Sequence, residues 1–122
     1  MEAEKSMARI AGIVLRTNGR KATARFYVAL GLHENEHQHG GPIHNEFTPF
    51  SEEAVLEIYQ ASENFSRDAL MIEVDSIDVS LQRISEKDTL LDEVKETQGM
   101  RFLYIEDPDD RPVMLLERKR TD

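Results

Sequence analysis

Arg25-Phe26-Tyr27-Val28-Ala29-Leu30-Gly31-Leu32 and, further along, Phe102-Leu103-Tyr104-Ile105-Glu106-Asp107-Pro108-Asp109-Asp110 are the stretches whose reading decides the fold. The first closes an amphipathic helix: an aromatic pair, a leucine, then a glycine able to take the left-handed conformation that stops a helix. The second is an aromatic-rich strand that runs into an Asp-Pro-Asp turn, and a further strand leaves that turn over Val113–Glu117.

Upstream of the first stretch, Ala8–Thr17 reads as a strand, with Ile10, Ile13, Val14 and Leu15 supplying β-branched and apolar bulk. Asn18 is the predicted N-cap of a helix over Gly19–Leu30 that places Ala22, Phe26 and Ala29/Leu30 on one face. Gly40-Gly41-Pro42 breaks a hairpin between His33–His39 and Ile43–Pro49, Ala54–Gln60 is the next strand, and Ala61–Asp68 is a polar linker. The order then recurs. Ala69–Val74 is a strand, Asp75 or Ser76 caps a helix with Ile77, Leu81 and Ile84 on one face, and strands follow at Leu91–Thr97, Met100–Glu106 and Val113–Arg118. Ala54–Ile58 and Arg111–Leu115 hold matching places, 57 residues apart. The chain, residues 1–122, is therefore expected to be a single α+β domain with an internal repeat at about 8–60 and 69–118, each half a βαβββ unit. Two such units would form curved mixed sheets around a cleft. Alternation along the strands puts Ile13, Leu15, Leu56 and Ile58 toward the first helix, and Gly12, Val14, Arg16, Val55, Glu57 and Tyr59 toward the other face.

Composition narrows the functions open to such a domain. Apolar residues at 39% and charged residues at 32% suit a globular protein. A net charge of −9 repels phosphate backbones and argues against a nucleic-acid partner. No apolar run approaches the length of a membrane span, and Met1-Glu2-Ala3-Glu4-Lys5 lacks the apolar core of a signal peptide. The absence of cysteine removes disulfides, thiolate ligands and cysteine nucleophiles together, which fits a cytoplasmic location.

With the helix end Phe26-Tyr27-x-x-Leu30-Gly31-Leu32, the second helix after Val74-Asp75, and Asp107-Pro108-Asp109 leading into Val113-Met114-Leu115-Leu116-Glu117, the chain resembles the vicinal oxygen chelate superfamily, the glyoxalase, bleomycin-resistance and extradiol-dioxygenase group. The likeness spans roughly Ala8–Arg118. Asp110 departs from it, standing where the group usually has glycine after Asp-Pro-Asp. The resemblance implies a homodimer, a small-molecule ligand, and a divalent metal held by four side chains from the first and fourth strands of each half. Carried onto this sequence, those positions are Gly12, Glu57, Ala69 and Met114. Glycine and alanine offer no donor and methionine only a soft thioether, so one carboxylate is left and no metal cofactor is expected.

Glu57 is the candidate catalytic residue: in an apolar setting beside Val55, Tyr59, Met71 and Met114 its carboxyl could serve as general acid or base, whereas an ion pair with Arg16 would make it structural. Arg16 is a candidate for holding a substrate carboxylate, as an arginine at the matching place does in some glutathione-dependent relatives, or else pairs with Glu57 or Glu73. Tyr59, Met71, Glu73, Tyr104 and Met114 complete the candidate ligand-binding set, and aromatic or methionine lining is equally at home in a core. All four histidines, His33, His37, His39 and His44, fall within twelve positions. His37 and His39 share a strand face with His44 opposite, a geometry able to hold zinc, nickel or copper, but the polar run Glu34–Gly41 reads as a solvated hairpin end. Three functions stay open: a metal-free small-molecule-binding protein keyed by Arg16 and Glu57; a lyase, isomerase or dioxygenase using Glu57 or a non-standard metal site; and a non-catalytic interaction module.

Overall fold

The computed structural model describes residues 8–35, 43–48, 54–84, 93–97 and 99–118. The described elements run β1 (Ala8–Thr17), α1 (Arg20–Ala29), β2 (His33–Asn35), β3 (His44–Thr48), β4 (Val55–Gln60), β5 (Ala69–Val74), α2 (Ile77–Arg83), β6 (Lys95–Thr97), β7 (Met100–Glu106) and β8 (Pro112–Arg118). The order is strand, helix and three strands, twice over: tandem βαβββ units of an α+β fold. The predicted strand ends at His37–His39, Pro49 and Leu91 lie outside the described residues. The chain divides into two compact units, one of residues 11–70 and the other of residues 71–118 with 8–10.

In the first unit the strands are ordered β2-β3-β4-β1. β3 runs antiparallel to both neighbours, and β1 lies parallel to β4 with Leu15 beside Ile58 and Val14 beside Glu57. Helix α1 packs on one face, over a cluster of Ala24, Phe47 and Ile58 joined by Leu15, Tyr27 and Leu56. Phe47 and Ile58 are 1% and 0% exposed, so each contributes roughly 1.5–3 kcal/mol through burial. The helix itself buries only Ala24 completely, so polar contacts share in fixing its seat. Gln60 bridges the helix start: its amide donates to the Asn18 carbonyl at 2.7 Å, and its Oε1 accepts from the Arg20 N–H at 3.2 Å. Thr17 and Thr23 share a hydroxyl–hydroxyl bond of 2.8 Å.

Two expectations for α1 are corrected. The N-cap is Gly19, with no side-chain cap, rather than Asn18. The inward stripe carries Ala24 and Tyr27, while Phe26 and Leu30 are 58% and 66% exposed. Both stripes have helical spacing, and the Gln60 and Thr17 anchors hold the helix in the rotation that buries Ala24. Ile13 also differs: it was expected against the helix and is 44% exposed. The C-terminal stop matches the prediction, with Gly31 at φ 109° and the Leu32 and Gly31 amides returning to the Tyr27 and Val28 carbonyls.

The second unit is ordered β5-β8-β7-β6, and β7 is antiparallel to both β6 and β8. Its core holds Val74, Ile77, Leu103, Ile105 and Leu115, with Leu81 and Ile84 packed against it as their spacing predicts. Ser76 caps α2, accepting from the Val79 N–H at 3.1 Å, and Glu117 accepts from the Ile77 N–H at 2.7 Å. The Asp-Pro-Asp turn closes through Asp107, whose Oδ1 accepts from the amides of Asp109 and Arg111. Asp110 takes the left-handed conformation at φ 66°, the place glycine would otherwise fill.

Candidate functional site

Strand alternation delivers a polar face in the first unit. Asn45 and Phe47 turn toward α1, where Asn45 accepts from the Arg20 guanidinium at 2.7 Å and donates to Glu34. His44 and Glu46 therefore turn to the opposite face. Register does the rest: His44 lies opposite Tyr59, and Glu46 lies opposite Glu57. On the other side of β4, Arg16 lies beside Tyr59 and Val14 beside Glu57. The prediction that Val14, Arg16, Val55, Glu57 and Tyr59 share the face away from the helix agrees with this register.

The side chains on this face are closely interlocked. The His44 ring stacks on Tyr59 with centroids 4.6 Å apart and planes 17° apart. Its Nε2 lies 3.0 Å from Glu46 Oε1. The His44 side chain is only 4% exposed and that of Glu46 13%. The Tyr59 hydroxyl donates to Glu57 Oε1 at 3.2 Å. One donor atom each from His44, Glu46 and Glu57 gather within 4.8 Å of one another. The Arg16 guanidinium carbon lies 4.4 Å from the Tyr59 ring centre and 5.2 Å from that of Phe65. The Arg16 amide donates to Asp68 Oδ1 at 2.9 Å, fixing this end of β1 to the segment before β5.

The metal positions of the resemblance can now be tested against geometry. Gly12 is more than a missing donor. A Cβ built there would sit 2.0 Å from the Val55 carbonyl oxygen, at φ +155°. The backbones of β1 and β4 approach too closely for any side chain, so a ligating residue at position 12 does not fit. Ala69 is buried at 4% exposure and has no donor to offer. The fold's usual four-position metal therefore does not fit the residues present.

The remaining predicted site residues belong to the second unit. Met71 and Tyr104 are 2% and 9% exposed, and Met114 lies half-buried on β8 opposite Tyr104. Glu73 pairs with Arg9 at 2.7 Å and Arg118 at 3.4 Å. His33 begins β2 and is exposed, while His37 and His39 lie outside the described residues. His44, expected opposite His37 and His39 across the hairpin, has its side chain buried against Tyr59. Sequence reasoning also passed over Glu46 and Phe65. The signal for Glu46 was the alternation His44-x-Glu46 facing Glu57-x-Tyr59, and that for Phe65 was a lone aromatic in a polar linker.

No protein-family model matches the sequence, and no curated protein matches it either. Solved structures do. A glyoxalase/bleomycin resistance protein/dioxygenase superfamily member from Vibrio splendidus 12B01 is similar over 92% of this chain and 99% of its own, with a TM-score of 0.70 at 13% identity. A protein described as NAD-dependent benzaldehyde dehydrogenase from Legionella pneumophila is similar over 88% of this chain and 98% of its own, with a TM-score of 0.61 at 15% identity. A xylose isomerase-like TIM barrel/4-hydroxyphenylpyruvate dioxygenase fusion protein is similar over 93% of this chain and 26% of its own, with a TM-score of 0.52 at 14% identity. The chain has the vicinal oxygen chelate fold, and at these identities the likeness is one of fold alone.

Proposed function

We propose that this is a small-molecule-binding protein that recognises a carboxylate-bearing ligand through Arg16, without a metal at the positions the fold ordinarily uses. The observation that carries the reading is the Arg16 guanidinium lying over both Tyr59 and Phe65. A guanidinium is planar, and its N–H fork matches a carboxylate two bonds at a time. The closure at Gly12 supports the exclusion of the usual metal. The remaining candidate residues, Met71, Glu73, Tyr104 and Met114, enter this reading only as further lining.

The test is a thermal-shift and calorimetric panel of aromatic and aliphatic carboxylates, run in chelator. A ligand at 100 times its Kd raises stability by about 2.7 kcal/mol. Arg16→Met keeps the stem over the rings and removes the fork, and it should weaken binding at least about tenfold, or ~1.4 kcal/mol. A panel in which no carboxylate shifts the melting curve, or a variant that binds as tightly as the parent, overturns the proposal.

A second reading, with Glu57 as general acid or base, is favoured by the Tyr59 hydroxyl that orients its carboxylate. Its mark would be a bound ligand that is slowly converted, with Glu57→Gln abolishing conversion while binding persists. Cytoplasmic location and a homodimer belong to the same proposal. The exposed Phe26 and Leu30 of α1 support self-association, which light scattering of the purified protein tests directly.

A further inference from the structure

We infer that His44, Glu46 and Glu57 bind a divalent transition-metal ion of the zinc class, one strand away from where this fold ordinarily holds its metal. The inference stands apart from the carboxylate-binding proposal, because it uses a different donor set and requires no small molecule.

The donors are placed by backbone register and not by a loop. His44 and Glu46 are two apart on β3, so they share a face, and Glu57 on β4 is the direct cross-strand partner of Glu46. Their ligating atoms already lie within 4.8 Å of one another. Metal–ligand bonds of about 2.0–2.2 Å hold neighbouring donors roughly 3–3.5 Å apart, so small side-chain rotations suffice to close the set. One imidazole nitrogen and two carboxylate oxygens form a borderline donor set that suits zinc, cobalt or nickel better than calcium or magnesium.

Two features beyond proximity point to a cation. Glu46 and Glu57 face each other across an antiparallel pair, so the backbone register itself brings two carboxylates together beside the His44 ring. A divalent ion with two carboxylates and a neutral imidazole makes an electrically balanced group, acceptable where side chains are as buried as His44 and Glu46. The second feature is the support around the donors. Tyr59 stacks on the His44 ring and donates its hydroxyl to Glu57, so one residue orients two of the three ligands. Glu57 is the single position shared with the fold's ordinary metal set, whose first-strand place is closed at Gly12.

The test is titration of zinc into chelator-stripped, tag-free full-length protein, with no small molecule present. One equivalent should bind saturably with micromolar affinity or better. Glu57→Gln, which keeps an oxygen for the Tyr59 hydroxyl, and His44→Gln should each weaken binding at least tenfold. A double change, His37→Gln with His39→Gln, should leave the affinity within twofold. Cobalt substitution gives a second readout, since visible absorption bands should appear in the parent and change shape in Glu57→Gln. The inference is overturned if zinc fails to bind at that affinity, if binding vanishes in the His37/His39 variant, or if Glu57→Gln binds as the parent does. Should His44→Gln fail to fold, the Glu57→Gln result alone decides.

Discussion

Replacing Gly12 by alanine probes the argument that the fold's ordinary metal position is sterically shut. The added methyl carbon would lie 2.0 Å from the Val55 carbonyl oxygen, 2.9 Å from its carbon and 3.0 Å from its nitrogen. All three are main-chain atoms, so no rotamer change relieves the overlap; β1 must move away from β4. Overpacking of this kind costs about 1–3 kcal/mol. Holding a non-glycine residue at φ +155° adds roughly 1–3 kcal/mol of backbone strain. The expected loss is thus about 3 kcal/mol or more, a sizeable part of the 5–15 kcal/mol that typically stabilises a domain. Urea unfolding followed by circular dichroism measures it, and the melting temperature should drop by on the order of 10 °C. Gly12→His should be at least as damaging and should not acquire metal. If Gly12→Ala unfolds within about 0.5 kcal/mol of the parent, the two backbones do not approach as described. Position 12 would then be sterically open to a ligating side chain, and the case against the usual metal would rest on the missing donors at Gly12 and Ala69 alone.

Two further outcomes follow from local geometry. Ser76→Ala removes the side chain that accepts from the Val79 amide and should cost about 1 kcal/mol in urea unfolding; an unchanged midpoint would show that α2 needs no cap. Asp107 is held below the ordinary carboxylate range, chiefly by the Arg111 backbone amide; desolvation opposes this as the second-largest effect, and the Asp109 amide and Arg111 guanidinium add to the lowering. A lowered folded-state pKa gives stability that is present above the unfolded pKa and lost as pH falls through the folded one, here in acid below about pH 4. Asp107→Asn should flatten the fall of the unfolding midpoint across that acid range, and parallel curves for parent and variant would contradict the assignment.

The parts of the fold that were legible in the sequence are those decided within a few residues. Gly31 stops α1, Ser76 starts α2, and Asp107 closes the last turn by bonds spanning five residues or fewer. The element order follows from such punctuation. The face that α1 buries was not legible, because Ala22/Phe26 and Ala24/Tyr27 satisfy the same helical spacing. The choice is made by Gln60, forty residues away along the chain, which grips the helix start. The site divides in the same way. The shared face of Arg16, Glu57 and Tyr59 could be read from alternation alone. Grouping His44 and Glu46 with them required the register of β3 on β4, which alternation within each strand does not set.

The three donor residues all lie on one adjoining strand pair, β3 and β4. Their spacing is ruled by the pairing of these two strands, and Tyr59 on the same pair steadies two of them. Strand zipping and cation capture would then be one cooperative event: a bound ion ties the two strands together, and a hairpin that frays dissolves its own chelate. Such a device is self-contained, and its affinity would report how firmly that pair of strands is closed.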